Sequence, residues 1–443
     1  MERLAIQGGM PAFDSAQIPE DLFRWPIYTQ EDEDAILSVT RAGSFSGYDI
    51  TEKFQKAWSE YQGCRETIAC CNGTLALYAS FFGIGLGQGD EIICPTKTYW
   101  ASIMSCMYLG ASPVFCNIDE NLSLDPDDLE RCIGPRTKAI LVVHYFGYPA
   151  DMDRIMPIAK KHGLKVIEDC SHAQGGLYKG KKVGTFGDVA AMSMMSMKSF
   201  ATGEMGVICT DNQEIYERCM AFLHYERNNE KYITDTDYLK PYYHLPLGAM
   251  KGRVNQVSPA MGLVQLKYYD ERCAEIRKAM NRFWDLLEDC PGIRALRVDE
   301  STGSNMAGWY CPHGIYKKDE LGGMPVELFC RAVEAETGFP CSPGGNYPLH
   351  THEFFRTYDG THMGKPMRIA YADRDVRELD AALKPSEEID CFSVPWFKHD
   401  IPEYIELYAK AFRKVAENTA SLSTISSTET DTGRWYGFEN ERR

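Results

Sequence analysis

Between about residue 65 and residue 211, short apolar runs alternate with stretches of helical spacing. The runs are TIACCNG (67–73), EIICP (91–95), SPVFCNI (112–118), KAILVVHYF (138–146), LKVIEDC (164–170), VAAMSMM (189–195) and GVICTD (206–211). Several are apolar throughout, the pattern of strands buried on both faces of a mostly parallel sheet. The pieces between them, such as GTLALYASFFGIGL and PADMDRIMPIAKKHG, repeat apolar residues at helical spacing, and the second ends on a glycine stop. The alternation predicts a doubly wound α/β domain whose ligands sit outside the carboxyl ends of the strands. A long helix is expected from about Ser258 to Leu287. Beyond Pro291 the pattern is mixed: a strand-like WYCPHGIY, a helix from Pro325 to Glu336, Gly- and Pro-rich loops in SPGGNYPLHTHEFF, then a helix-like DRDVRELDAALK. The expected division is 1–270 for the N-terminal segment and large domain, 271–418 for a smaller α+β domain, and 419–443 for a flexible Ser/Thr-rich tail.

Composition narrows the partners. A formal net charge of -16 offers no basic face for a phosphate backbone, so nucleic acid is excluded as a partner. No apolar run approaches the ~20 residues of a membrane span. MERLAIQGGMPAFDS lacks the charged and apolar regions of a secretory signal, and a cytoplasmic location is expected. The 16 cysteines fall mostly in apolar strand-like segments (Cys70, Cys71, Cys94, Cys116, Cys209), and no pair has C-x-x-C spacing. Reduced thiols, with neither a disulfide framework nor a zinc site, are expected.

The chemistry gathers at the predicted ligand edge. Lys198 sits in MSMMSMKSFATGEMG, an apolar setting that lysine rarely occupies unpaired. LKVIEDC ends in Glu168-Asp169, placing an acid where a buried strand emerges, two strands from the lysine. TIACCNG turns through Asn72-Gly73-Thr74 into a helix whose N–H groups can face an anion. PTKTYWAS offers Tyr99 and Trp100, and Ser193 lies five residues before Lys198. These parts suit pyridoxal phosphate (PLP): a lysine for the imine, a carboxylate for the ring nitrogen, a helix start and hydroxyls for the phosphate, and an aromatic face for the ring.

The motifs NGTLAL (72–77), GDEIICPTKTYWAS (89–102), PRTKAILVVHYFGYPADMD (135–153), VIEDCSHAQGG (166–176) and SMMSMKSFATGEMG (193–206) make the chain similar to the DegT/StrS sugar aminotransferases. The looser match runs from near Pro26 to near Asn418. That resemblance implies the PLP-dependent transferase fold of type I, with a mostly parallel mixed sheet in the large domain and an α+β C-terminal domain. It assigns Lys198 to the cofactor and to proton transfer, and Asp169 to the pyridinium nitrogen. His172 is placed against the cofactor with Gln174 nearby, Tyr99 on the ring (Trp100 if the register slips by one), and Gly73, Thr74 and Ser193 at the phosphate. Two positions depart from the family. Met205 stands where the sequence after the lysine usually reads Gly-Glu-Gly-Gly. Lys251-Gly252-Arg253-Val254 replaces Asn-Tyr-Arg-Met, so Lys251 takes the place of an asparagine lent to the neighbouring subunit's phosphate, and a homodimer with shared sites is implied.

The implied reaction moves an amino group from glutamate or glutamine to a keto sugar or keto-cyclitol. A PLP-dependent sugar dehydratase is the alternative enzyme, although such relatives carry histidine in place of the lysine. A non-catalytic sensor of PLP or an amino sugar is the alternative of another class, kept open by Met205 and Lys251. Chain length places the protein nearer the cyclitol branch. GIGLGQG (83–89) has the wrong order and spacing for a dinucleotide loop and reads as a turn. His350 and His352 lack a third metal ligand and are read as a loop over the substrate mouth. EDEDAIL (31–37) is read as a solvated helix start.

Overall fold

The computed structural model describes residues 3–360, 362, 364–369, 371–422 and 425. The apolar runs become β1 (Glu66–Cys70), β2 (Glu91–Pro95), β3 (Ser112–Cys116), β4 (Thr137–Val143) and β5 (Lys165–Asp169). A small hairpin of β6 (Leu177–Tyr178) and β7 (Lys181–Lys182) precedes β8 (Val189–Ser193) and β9 (Gly206–Thr210). The seven long strands form one sheet in the order β1-β9-β8-β5-β4-β2-β3. All pairs are parallel except the two made by β9, so β9 alone runs against the rest. Residues of β2, β3 and β9 are buried without alternation, as their uniformly apolar sequences require. Asp169 pairs with Ala191 across neighbouring strands, so the acid and the lysine come from adjacent strands rather than from strands two apart. The intervening hairpin spends sequence without adding to the sheet.

Helices α1 (Gln30–Ala42), α2 (Asp49–Gln62) and α3 (Gly73–Gly83) are followed by α4 (Leu129–Cys132), α5 (Met152–His162) and α6 (Gln213–Leu223). Their ends obey local chemistry. Asn72 Oδ1 accepts the Leu75 N–H at 2.9 Å and opens α3, while Gly163, at φ 66°, closes α5 in the left-handed region. The acidic start of α1 is only partly solvated. Glu31 and Glu33 are exposed, but Asp32 is buried in a capping box with Thr29 and accepts from Gln265 Nε2 at 2.7 Å. GIGLGQG is a turn between α3 and β2, with Gly85 and Gly89 at positive φ.

The 29-residue α7 (Val257–Asp285) joins two cores. Its first half packs with Phe54, Trp58 and Phe200 under the sheet. Ile276, Met280, Phe283 and Trp284 enter a second core with α8 (Val326–Thr337) and the helix Pro402–Glu417. There a three-stranded antiparallel sheet joins β10 (Ile293–Ala295), β11 (His313–Tyr316) and β12 (Cys391–Ser393). The segment DRDVRELDAALK is a 3-10 turn, Glu378–Leu383, continuing into the short helix Lys384–Glu387. The N-terminal segment packs with this second core: Leu4 and Leu22 are fully buried in it, and Ala5 N–H donates to Glu336 at 2.8 Å. Thr419–Leu422 is helical with Leu422 buried, and the rest of the expected tail lies outside the described residues apart from Ile425.

Candidate active site

Strands β1, β2, β4, β5 and β8 end, and β9 begins, on one edge of the sheet, and the predicted residues lie on it. Glycine makes the approach possible. A Cβ on Gly73 would stand 2.6 Å from the Ser193 Cβ, and one on Gly206 would stand 2.3 Å from the Asn72 carbonyl. The start of α3 therefore lies against the end of β8 and the start of β9. Of its first N–H groups Leu75's is taken by Asn72, while those of Gly73 and Thr74 have no helical acceptor, as at any helix start, and are left to the cradle. Thr74 is half-buried on the first turn. Ser193 N–H is tied to Ser171 Oγ at 3.0 Å.

Asp169 is 4% exposed, and its carboxylate accepts from Ser102 Oγ at 2.7 Å and Ser171 N–H at 3.0 Å. Its neighbour Glu168 points away from the site. It accepts from His144 Nε2 at 3.0 Å and from the N–H groups of Gly184, Phe186 and Gly187 at 2.6–2.8 Å. Burial pushes the Glu168 carboxyl up, but these donors outweigh it and hold it below the usual carboxylate range. Glu168, His144 and Cys170 are close enough to suggest metal ligands, as are Cys116, Asp128 and Cys132. In both groups the carboxylate is already engaged, Glu168 as described and Asp128 by Arg131 and the Asn117 N–H.

Lys198 is 8% exposed, enters no ion pair among the described residues, and lies with Nζ 4.1 Å from the centre of the Tyr310 ring. Burial lowers its pKa to about 8, against the opposing pull of Asp169 and Cys311. Trp25 Nε1 donates to the Lys198 carbonyl at 2.8 Å and fixes the backbone that carries it. His172 packs its ring 4.7 Å from Tyr310 and 5.4 Å from Tyr145, and its Nδ1 accepts the Phe146 N–H at 3.2 Å. Burial, with the Lys198 charge, holds this imidazole well below its ordinary pKa and hence neutral.

A profile of the DegT/DnrJ/EryC1/StrS aminotransferase family matches residues 26–370. The chain belongs to that family. It is 37% identical to GDP-perosamine synthase of Escherichia coli O157:H7 over 221 residues, half of this chain and 58% of that relative. It is 29% identical to L-glutamine:scyllo-inosose aminotransferase of Streptomyces griseus over 437 residues, covering 95% of this chain and 99% of the relative. Among solved structures, an aminotransferase from Psychrobacter cryohalolentis superposes with a TM-score of 0.76 at 26% identity, over 90% of this chain and all of that one. The fold is that of the family's PLP aminotransferases.

Within this family fold, Lys198, Asp169, His172, Gly73, Thr74, Ser193 and Tyr99 lie on one edge. Tyr99 and Trp100 touch at 5.0 Å, but Trp100 packs on the sheet's core, which leaves Tyr99 the freer ring. Gln174 braces loops instead of facing the site: it bonds the Ser171 and Ser193 carbonyls and Ser199 Oγ. Lys251 is exposed with Nζ 5.1 Å from the Tyr225 ring, apart from the cluster, although Gly252 beside it accepts from Cys71 N–H at 3.1 Å. Met205 is buried under the sheet while its carbonyl accepts from Met194 N–H at 2.8 Å, so this departure leaves the turn intact. His350 bonds Thr96 and Glu387, and His352 caps the helix Glu353–Thr357. Four neighbours of the candidate site escape a reading of the sequence: Ser102, Trp25, Tyr145 and Tyr310. Ser102, four residues after Thr98 in the motif that supplies Tyr99, carried a local signal; the others come from distant segments.

Proposed function

We propose that this protein is a PLP-dependent aminotransferase that moves an amino group from an amino acid, glutamate or glutamine, to a keto sugar or keto-cyclitol. The observation that carries the reading is a buried Lys198, without an ion pair among the described residues, on the strand edge that also holds Asp169 and the glycine-closed cradle. The residues fit the cofactor. Asp169 is oriented by two donors to face a ring nitrogen, Tyr99 offers an aromatic plate, and Gly73, Thr74 and Ser193 form a phosphate cup. When bound, PLP supplies an electron sink in conjugation with the substrate nitrogen. Lys198 Nζ, with its pKa near 8, would take the proton from the donor's α-carbon and return it beyond the substrate nitrogen, a 1,3-shift. Neutral His172 holds the opposite wall without adding charge. The crowding of Tyr145, Phe146 and Tyr310 around it keeps water from the proton in transit.

The acceptor class follows the names of the relatives, a nucleotide-sugar enzyme over half the chain and a cyclitol enzyme over nearly all of it. The dehydratase reading fails on Lys198, and the sensor reading loses the support of Met205. The test is spectral. Purified protein loaded with PLP should change absorbance on adding glutamate or glutamine and recover it on adding a keto sugar or an inosose. A protein that binds PLP and never cycles overturns the reading.

A further inference from the structure

Lys398 is a second buried lysine close to the site. It is 2% exposed, its Nζ has no hydrogen-bond partner among the described residues, and burial pushes its pKa well down. Burial favours the neutral amine, and a carboxylate brought beside it would restore the ammonium and give it the hydrogen-bond partner it lacks. Its surroundings tie it to Lys198. The Nζ lies 2.7 Å from the centre of the Trp396 ring and 5.2 Å from that of Trp25. Trp25 donates to the Lys198 carbonyl. Trp396 donates to the Gly308 carbonyl at 2.9 Å and meets Tyr310 edge-on at 5.9 Å, and Tyr310 carries the Lys198 amine over its face. Two aromatic rings, Tyr310 and Trp396, thus stand between the two amines, and both amines feel the Cys311 thiol.

An α-amino acid that reacts at Lys198 brings its carboxylate two bonds from the reacting nitrogen, and that charge needs a cation. Three other cations are engaged or turned outward. Lys97 Nζ donates to the Ile389 carbonyl at 2.8 Å, Arg253 is held by Glu226, and Lys251 is exposed on Tyr225. We propose that Lys398 is the anchor for the α-carboxylate of the amino donor, reached by a swing of its four-carbon stem out of the Trp25–Trp396 box. The proposal rests on the aminotransferase reading and deepens it.

The experiment uses PLP-loaded protein as wild type, Lys398→Met and Lys398→Arg. Binding of α-methylglutamate, which cannot give up an α-proton, is measured by calorimetry, and the response to glutamate and glutamine by absorbance. The Met variant should bind the probe about thirtyfold or more weakly, with unchanged resting cofactor absorbance and melting temperature, and the Arg variant should recover to within a few-fold. Wild-type affinity in the Met variant overturns the anchor, as does a loss of affinity accompanied by a matching loss of resting absorbance, which marks a structural role. Failure of the wild type to bind the probe also overturns it. Binding that depends on Lys398 in a wild type that never exchanges amines keeps the anchor and sinks the aminotransferase reading alone.

Discussion

An amine with a pKa near 8 is half free at about pH 8, and Lys198 owes this to burial. Attachment of PLP to the apoprotein needs the neutral amine. The rate of reconstitution should therefore rise about tenfold per pH unit below 8 and level off above it, as followed by cofactor absorbance. The sign for stability is the same. The folded value lies below the ordinary 10.5, so between about 8 and 10.5 the unfolded chain holds more protons and the apoprotein gains stability as pH rises; below about 8 the cost of burial is felt in full. Lys198→Ala should abolish covalent attachment and amine exchange together, read by borohydride-trapped mass and by turnover. Asp169→Asn should keep the fold and the Ser102 contact while lowering turnover on the order of a hundredfold or more. Lys198 and Asp169 were legible because each is a polar residue set at the end of an apolar run. Tyr310 was not, because its role depends on three residues of positive φ (Ala307, Trp309, Cys311) that bend a remote loop over the amine, and no local pattern announces such a bend.

At the level of elements, the site is a meeting of turns held at glycine distance. Gly206→Ala should push the start of β9 off the Asn72 carbonyl. Weaker PLP affinity, together with about 1–3 kcal/mol of lost stability, is the expected result in equilibrium titration and denaturant unfolding. Glu168 gathers three loop N–H groups and His144 beneath Asp169, so Glu168→Ala should cost about 3 kcal/mol or more in apoprotein unfolding by leaving buried donors unpaired. The seven long strands were legible because burial on both faces writes an apolar run, although several runs continue past the strand ends, KAILVVHYF into the turn Tyr145–Gly147 among them. The adjacency of β5 and β8 was hidden by the hairpin between them, since chain order does not state which strands leave the sheet. The capping role of Asp32 was equally hidden, as a carboxylate on a helix start looks the same whether solvent or Gln265 receives it.

For the whole molecule, the dimer remains a proposal that sedimentation of the PLP-loaded protein tests. Two chains are expected, with Lys251→Ala weakening PLP affinity severalfold, and a fully active monomer would discard the shared site. None of the described helices is long and apolar enough to cross a membrane. The sequence announced a large and a small unit but not the path between them, because the N-terminal segment docks through scattered residues with no periodicity. Leu4 and Leu22 sit in the second core, Gln7 Nε2 donates to the Ser421 carbonyl at 2.6 Å, and the Leu22 carbonyl accepts from Lys398 N–H at 2.9 Å. The N-terminal segment therefore docks on segments far downstream in the sequence, Glu336 and Ser421 among them. The sheet and its cradle close within residues 66–210, whereas Trp25, which holds the Lys198 carbonyl, packs on the second core and is fixed only once that core has formed. The backbone that carries Lys198 is thus steadied only when both cores are in place.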